Sequence, residues 1–452
     1  MSCDLLVIGG GIAGAAAAAR AAEAGADVVV IEKDSRLGGS GALSAGILWT
    51  APDRETLARV CPRGDAELGG VLVDSYDDAV AGVRALGVEV SERWEGQMGF
   101  GVAHRIDIAG WLEAVRERIE ASGRIAFRHA AGELLTAAGE VRGARVSGPG
   151  GDEEIAAGAV LLATGGFQGN AGLVRRLIGE GAERMPVRAN PNSIGDGYRM
   201  GRGAGAAASG GLDSFYGHLL PSPLRRLRPD DFLPLTQYHS NACVVVNRFG
   251  RRFADESRGD EVTNQALLRQ PSARGVLLCD ERVRREHAVG APYPHGQVVD
   301  RFDVARSAGA RNASADTVTE LVERVEAWGV NAARLERTLA DVEAAASGSP
   351  PAPDDVAIAG WPPPLREAPF HAVEVQPSIT FTFGGLRGDV EGRALDQRGE
   401  PIPGLFVAGA DLGGLQETGY VGGLVLGMVF GPRAADAALG AGARSAEAVA
   451  GG

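Results

Sequence analysis

Three glycines and one acid carry the first chemistry legible in this chain. Residues 9–14 read Gly9-x-Gly11-x-x-Gly14, and Glu32 stands at the end of the next apolar run. Gly9 permits a tight turn, Gly11 lets a diphosphate approach the backbone, and Gly14 lets a helix pack closely on a strand. The N–H groups of the helix start, with Ile12 and Ala13 in its first turn, then face the phosphates at the positive end of the helix dipole. Glu32 is spaced to accept both hydroxyls of a ribose, with Lys33 beside it. This is dinucleotide-binding chemistry, and the unit alone leaves NAD and FAD open.

Those residues need a strand, a turn, a helix and a second strand to hold them. The apolar run Asp4–Ile8 predicts the first strand, the Ala-rich stretch closed by Gly25 predicts the helix, and Val28–Ile31 predicts the second strand. After Glu32 the chain turns to small residues, Gly38-Gly39-Ser40-Gly41-Ala42-Leu43-Ser44-Ala45-Gly46. Such a stretch is either a flexible linker or a loop laid along a diphosphate and a ribityl chain, up to the edge of a ring system. Further on, Ala159–Leu162 predicts a buried strand running into the small-residue turn Thr164-Gly165-Gly166. Asn192–Gly197 leads into a helix over 198–208, and Asp196 either caps that helix or bonds a cofactor hydroxyl.

The C-terminal end favours a flavin. Residues 403–411 read as a turn, a strand and the loop Gly409-Ala410-Asp411. Tyr420-Val421-Gly422-Gly423 then opens an apolar helix over 424–438 that begins Leu424-Val425. A helix start after a glycine pair can aim N–H groups at an electron-rich carbonyl edge, which the N1/C2 side of a reduced flavin presents. The alternative is that the pair merely allows close helix packing.

Bulk properties bound the rest. A chain of 452 residues exceeds one compact core, which predicts two domains. Apolar residues at 45% with 67 glycines point to close backbone approaches rather than disorder. Lys plus Arg at 45 against 58 acids gives −13, which argues against nucleic acid and against an anionic membrane surface as partners. Cys3, Cys61, Cys243 and Cys279 lack metal-binding spacing and read as thiols of a reducing compartment. The apolar runs, such as Gly422–Gly431, are too short to cross a bilayer, and no signal peptide is visible. The expectation is a cytoplasmic, metal-free protein with no membrane partner.

Taken in order, GGGIAG, EK…GGSGALSAGILW, ATGGFQGN, IGDGYRMGRGAGA, VVVNRFGRRFADES, TFGGLRGDV, PIPGLFVAGADLGG and YVGG…FG resemble the fumarate reductase/succinate dehydrogenase flavoprotein superfamily. The resemblance runs from residue 4 to about 438. Its GGSGALSAGILW segment and the Tyr before Gly-Gly are more similar to the 3-ketosteroid dehydrogenase and tricarballylate dehydrogenase branches. It implies an α/β chain with a discontinuous, Rossmann-like FAD domain over 1–211 and 355–440, an inserted α+β capping domain over 212–354, and a flexible tail over 441–452. The Ser/Pro-rich stretch Ala346–Pro353 reads as the return linker. The FAD-binding positions it implies are those named above, together with Ala131.

The resemblance also implies chemistry. No histidine precedes His104, so the histidyl flavin of some relatives has no counterpart, and non-covalent FAD is expected. Fumarate reductases place an Arg proton donor four residues after the Glu of their RF-x-x-E motif; here that place holds Asp260, with Arg258 nearby as a substitute. The residues aligned with their dicarboxylate clamp are Phe381 and Tyr420. Tyr420 matches a tyrosine that polarises a substrate carbonyl in the ketosteroid branch, or is a packed aromatic at a helix start. His218, with Tyr216 beside it, lies near a substrate-binding His of fumarate reductases, or is a satisfied loop residue. The acids Asp255, Glu256 and Asp260 among Arg251, Arg252 and Arg258 read as ion pairs of a solvated loop.

The implied activity is hydride transfer between flavin N5 and a C–C bond beside a carbonyl-type group of a small molecule. Electrons would come from or go to an external carrier, since no second strand-linked GxGxxG is present. An ene-reductase, an amine or amino-acid oxidase and a non-catalytic flavin-binding module are the alternatives.

Overall fold

The computed structural model describes residues 2–294, 296–349, 358 and 360–450. The chain forms two compact units: residues 1–179, 189–215 and 381–452 make the first, and 180–188 with 216–380 the second.

The first unit is built on a sheet in which β1 (Ser2–Ile8) lies beside β2 (Val28–Glu32) on one side and the long strand β3 (Gly151–Leu162) on the other. All of these pairings are parallel, with Leu5 opposite both Val28 and Ala159. The strand Pro401–Val407 adds in parallel beyond β3, and Arg124–Phe127 beyond β2. Leu5, Leu6, Val7, Val28, Val30, Leu161 and Leu162 are buried. A parallel sheet covered on both faces has no solvent side, which is why these strands read as unbroken apolar runs.

Helix α1 (Ile12–Glu23) covers the sheet with an almost wholly alanine surface. The C-terminal helix Leu424–Ala450 packs on it through small residues: a Cβ at Gly427 would lie 2.9 Å from the Ala13 nitrogen, and one at Gly431 would lie 2.4 Å from the Ala13 carbonyl. That helix spans Leu424–Ala450, over part of the stretch from 441 expected as a flexible tail.

The glycine–serine stretch is an ordered loop. Gly38 donates its N–H to the Gly10 carbonyl at 2.8 Å, Asn190 N–H reaches Ser40 Oγ at 3.1 Å, and Ile106 N–H reaches the Gly46 carbonyl at 2.8 Å. It ends in the strand Ile47–Thr50, which pairs with Gly101–Arg105.

The second unit has an antiparallel sheet: Phe370–Gln376 pairs with Gly275–Cys279, which pairs with Val244–Asn247, and Asn312–Ala315 also joins Phe370–Gln376. Because Phe370–Gln376 is hydrogen-bonded into this sheet, the chain returns to the first unit at Phe381, not at residue 355. Residues 180–188 also belong to the second unit, which a single boundary at 211 misses. Of the expected linker, Pro350–Pro353 lies outside the described residues.

Candidate functional site

In the first unit the glycine triplet sits at the carboxyl end of β1. Gly9 has φ +106, and a Cβ there would lie 2.3 Å from the Ala163 carbonyl. At Gly14 it would lie 1.8 Å from the Gly9 carbonyl. Gly11 differs: a Cβ there would meet nothing within 4 Å. Gly11 is also the N-cap of α1 and gives no side-chain cap, so the first-turn amides, those of Ile12 and Ala13 among them, face open space beside Gly11. Open space over an uncapped helix start, with Gly39 of the pinned loop beside Gly11, fits a diphosphate.

Glu32 is 7% exposed, and both its oxygens already have work. Oε2 accepts the Gly10 N–H and Oε1 the Asp34 N–H, each at 2.7 Å. A carboxylate offers about four lone-pair sites, so Glu32 fixes the turn and keeps capacity for hydroxyl donors. Lys33 Nζ lies 2.6 Å from Asp196 Oδ2. Asp196 is the first residue of helix α2 (Asp196–Gly203), pairs also with Arg199, and does not cap it; the N-cap is Gly195, in a left-handed conformation. Capping by Asp196 is therefore ruled out, and its charge is spent on Lys33 and Arg199.

Around the turn after β3, the Thr164 N–H donates to Asp411 Oδ2 at 2.5 Å, and Thr164 Oγ1 accepts the Gly197 N–H at 2.8 Å. Gly165 has φ +87 and Gly409 φ +64, so both turns bend through the left-handed region. Burial pushes the Asp411 carboxyl up to about 7, with the Thr164 hydrogen bonds opposing. Ser44 Oγ donates to the Gly41 carbonyl and accepts the Gly46 N–H, so it serves the loop; Ala45 stands between them, half-buried. Ala131 lies half-buried in the strand Ala130–Ala137, opposite Val146.

At the start of the C-terminal helix the expectation for Gly423 needs correction. Its N–H donates to Tyr420 Oη at 2.8 Å and is not aimed at a cofactor carbonyl. Leu424 and Val425 lie in the first turn of that helix, where backbone N–H groups have no intrahelical acceptor. Close approach accounts for Gly422, where a Cβ would lie 2.2 Å from the Trp49 carbonyl. Tyr420 stands among rings: its centroid lies 5.4 Å from Trp49 and 6.4 Å from Phe381. Phe100 adds to Trp49 at 5.8 Å, and Phe383 to Phe381 at 6.1 Å.

The second unit holds a buried polar chain. Tyr216 Oη lies 2.5 Å from His218 Nε2, and His218 Nδ1 is bonded to Asp260 Oδ2. Asp260 opens helix α3 (Asp260–Leu268), and its other oxygen accepts the Leu219 N–H at 3.1 Å. His218 is 1% exposed and Asp260 4%, while Tyr216 is half-buried. Burial holds the His218 pKa below its ordinary value against the pull of the Asp260 carboxylate. Tyr238 packs edge-on against His218 at 5.0 Å and lies under the Arg301 guanidinium.

Arg258 is exposed, whereas Asp260, at the place of the expected proton donor, is buried. The reading of a solvated ion-pair loop fails. Arg252 and Glu256 form a buried pair with side chains 5% and 1% exposed, and Asp260 is committed to His218. The sequence could not show the His218–Asp260 link because 42 residues separate the partners.

A parallel sheet with a diphosphate cradle at its carboxyl edge defines the first unit as a dinucleotide-binding redox domain. Residues 4–425 match the FAD binding domain family, and the chain belongs to it. The chain is 27% identical to a fumarate reductase (cytochrome) of Shewanella frigidimarina, over 93% of this chain and 74% of that one. It is also 27% identical to the 4-oxocyclohexanecarboxylate 2-dehydrogenase of Sinomonas cyclohexanicum, over 93% and 92%. The fold is similar to that of a 3-ketosteroid delta1-dehydrogenase from Sterolibacterium denitrificans, with TM-score 0.76 at 19% identity over 97% and 99% of the two chains. The protein is an FAD-dependent oxidoreductase of the class acting on CH–CH groups.

Asp411 gives a pH signature. Below about pH 4 its carboxyl is protonated whether the chain is folded or not. From there to about pH 7 the unfolded chain releases that proton while the buried group keeps it, so the group subtracts from stability increasingly, and by a constant amount above pH 7. Asp411→Asn should flatten the decline in the thermal midpoint of the flavin-free protein between pH 4 and pH 7. A decline equal to that of the parent would remove this carboxyl as its cause.

Proposed function

We propose that this protein dehydrogenates, or in reverse reduces, the C–C bond beside a ring ketone or similar carbonyl, and that dicarboxylates are not its substrates. The observation that carries this is Tyr420: a phenol that accepts the Gly423 N–H, set among Trp49, Phe381 and their neighbouring rings. Accepting that bond polarises the phenol and makes its O–H a stronger donor to a carbonyl oxygen. Aromatic neighbours provide a flat, apolar surface suited to a ring rather than the pair of cations that would clamp a dicarboxylate. The Sinomonas relative named for an oxocyclohexane acid supports the reading.

The FAD-holding residues follow from the cradle. The amides of Gly11, Ile12 and Ala13 would take the diphosphate, and Glu32 the adenosine ribose. Ser40 and Thr164 would serve the ribityl side, and the Leu424 and Val425 amides the ring's carbonyl edge. Bound FAD supplies the two-electron, hydride-level acceptor or donor. Tyr420 then stabilises the negative charge that grows on the substrate oxygen as the α-proton is lost.

Anaerobic titration of the yellow protein tests this. 4-Oxocyclohexanecarboxylate or 4-androstene-3,17-dione should bleach the flavin, or an enone should re-oxidise the dye-reduced protein, while succinate and fumarate do neither. Turnover of the dicarboxylates alone, or peroxide release with amino acids alone, overturns the reading.

A further inference from the structure

We propose that the second unit binds a small monocarboxylate anion, held by the guanidinium of Arg188. The site stands on the second unit alone and is independent of the carbonyl reading, since it concerns binding and not turnover.

Three arginines are buried among the described residues, and two of them are accounted for. Arg252 meets the Glu256 carboxylate. Arg301, 2% exposed, donates to the carbonyls of Thr236 and Ala288, each at 3.0 Å, and lies over the Tyr238 ring. Arg188 is 6% exposed and differs from both. Its Nη1 donates to Thr380 Oγ1 at 3.0 Å and its Nη2 to the Phe232 carbonyl at 2.9 Å, while Nε is buried with no acceptor. Among the described residues no carboxylate lies within ion-pair distance of it. A guanidinium carries five N–H donors, so most of them, and the whole charge, are unanswered. Burying an unpaired charge is strongly unfavourable, and an anion from solution removes that penalty.

The backbone holds this group in place. Val187 bridges to Ile379, the Arg188 N–H donates to the Ile379 carbonyl at 2.7 Å, and the Ile379 N–H donates to the Pro186 carbonyl at 3.0 Å. Thr380 is half-buried, and its hydroxyl, which accepts from Arg188, still has its own proton to give. Guanidinium N–H groups with a hydroxyl beside them suit the two oxygens of a carboxylate.

Charge sets the valence of the ligand. Arg188, Asp260 and Arg301 all act on the Tyr238 hydroxyl. Burial keeps His218 and His239 neutral near pH 7, and burial with the Asp260 charge pushes Glu261 up to about 8. Two guanidinium charges against one carboxylate leave one positive charge. A monoanion neutralises it, and a dianion overshoots it.

The test titrates the FAD-loaded protein with cyclohexanecarboxylate at pH 7 in chloride-free buffer, by calorimetry and by the signals of ¹⁵N-labelled histidine. One site per chain is expected, and its filling should move the His218 nitrogen signals, because the Arg188 charge that acts on His218 is then offset. Arg188→Met should weaken binding at least about 30-fold, whereas Arg226→Gln, at an exposed arginine of the same unit, should bind as the parent does. Arg188→Met should also melt no lower than the parent, since the Phe232 carbonyl keeps the Thr236 hydroxyl as a donor. Parent-like affinity in Arg188→Met overturns the proposal, and so does a parent that binds no cyclohexanecarboxylate. Tighter binding of cyclohexane-1,4-dicarboxylate, or of chloride, overturns the monocarboxylate assignment. Should Arg188→Met fail to fold, the parent decides alone: saturable movement of the His218 signals supports the site, and unmoved signals overturn it.

Discussion

Gly11→Val yields a folded protein without flavin colour. The position is unusual among the three glycines of the turn because nothing of the protein stands within 4 Å of a Cβ placed there. A Cβ added there meets nothing in the folded chain, and the side chain projects over the helix start, where the diphosphate is proposed to lie. Expelling the phosphates from three or so backbone amides should weaken FAD binding by at least about 100-fold, roughly 3 kcal/mol. Visible absorbance per protein and equilibrium titration with FAD give the affinity, and far-ultraviolet circular dichroism gives the fold. Gly14→Val is the contrast, since its Cβ would fall 1.8 Å from the Gly9 carbonyl and must disturb the strand–helix packing itself. A Gly11→Val protein that stays as yellow as its parent places the dinucleotide elsewhere.

Tyr420→Phe keeps the flavin and loses the rate. The ring contacts with Trp49 and Phe381 survive the change, so the aromatic surface and the start of the C-terminal helix persist. What disappears is one oxygen, which accepts the Gly423 N–H and would donate to the substrate carbonyl. Removing a donor that acts on developing oxyanion charge costs about 100- to 1,000-fold in rate, which anaerobic stopped-flow reduction by a reactive ketone reads directly. The orphaned Gly423 amide adds a stability loss of about 1–2 kcal/mol, seen as a lower thermal midpoint. A reduction rate within twofold of the parent would show that Tyr420 merely packs.

These two residues show how unevenly the site was legible. Gly11 could be read because the cradle is local: turn, helix start and acid are fixed by spacing along a single strand–helix–strand unit. Tyr420 could be placed at a helix start, but the fate of the Gly423 N–H could not be read, since a side chain three residues back takes it. Asp196 was legible as a helix-start acid, yet its partner Lys33 lies 163 residues away and turns the carboxylate to a salt bridge rather than a cap. The domain boundaries went wrong for a similar reason. Phe370–Gln376 mixes apolar and polar residues and is strand-like in either unit, and only its pairing with Gly275–Cys279 says which sheet receives it.

By itself the sequence determined whatever rests on short-range stereochemistry. That covers the parallel α/β core with its unbroken apolar strands, the glycine cradle for a dinucleotide and the ordered series of motifs that marks a flavoprotein. Tertiary structure alone decided which polar side chains meet. It moved Asp260 from an exposed charge cluster into a buried bond with His218, left Arg258 in solvent and buried Arg252 against Glu256. The physical reason is that hydrogen bonds and burial depend on distance in space, and a chain folded into parallel strands and inserted segments puts its closest polar partners far apart in sequence.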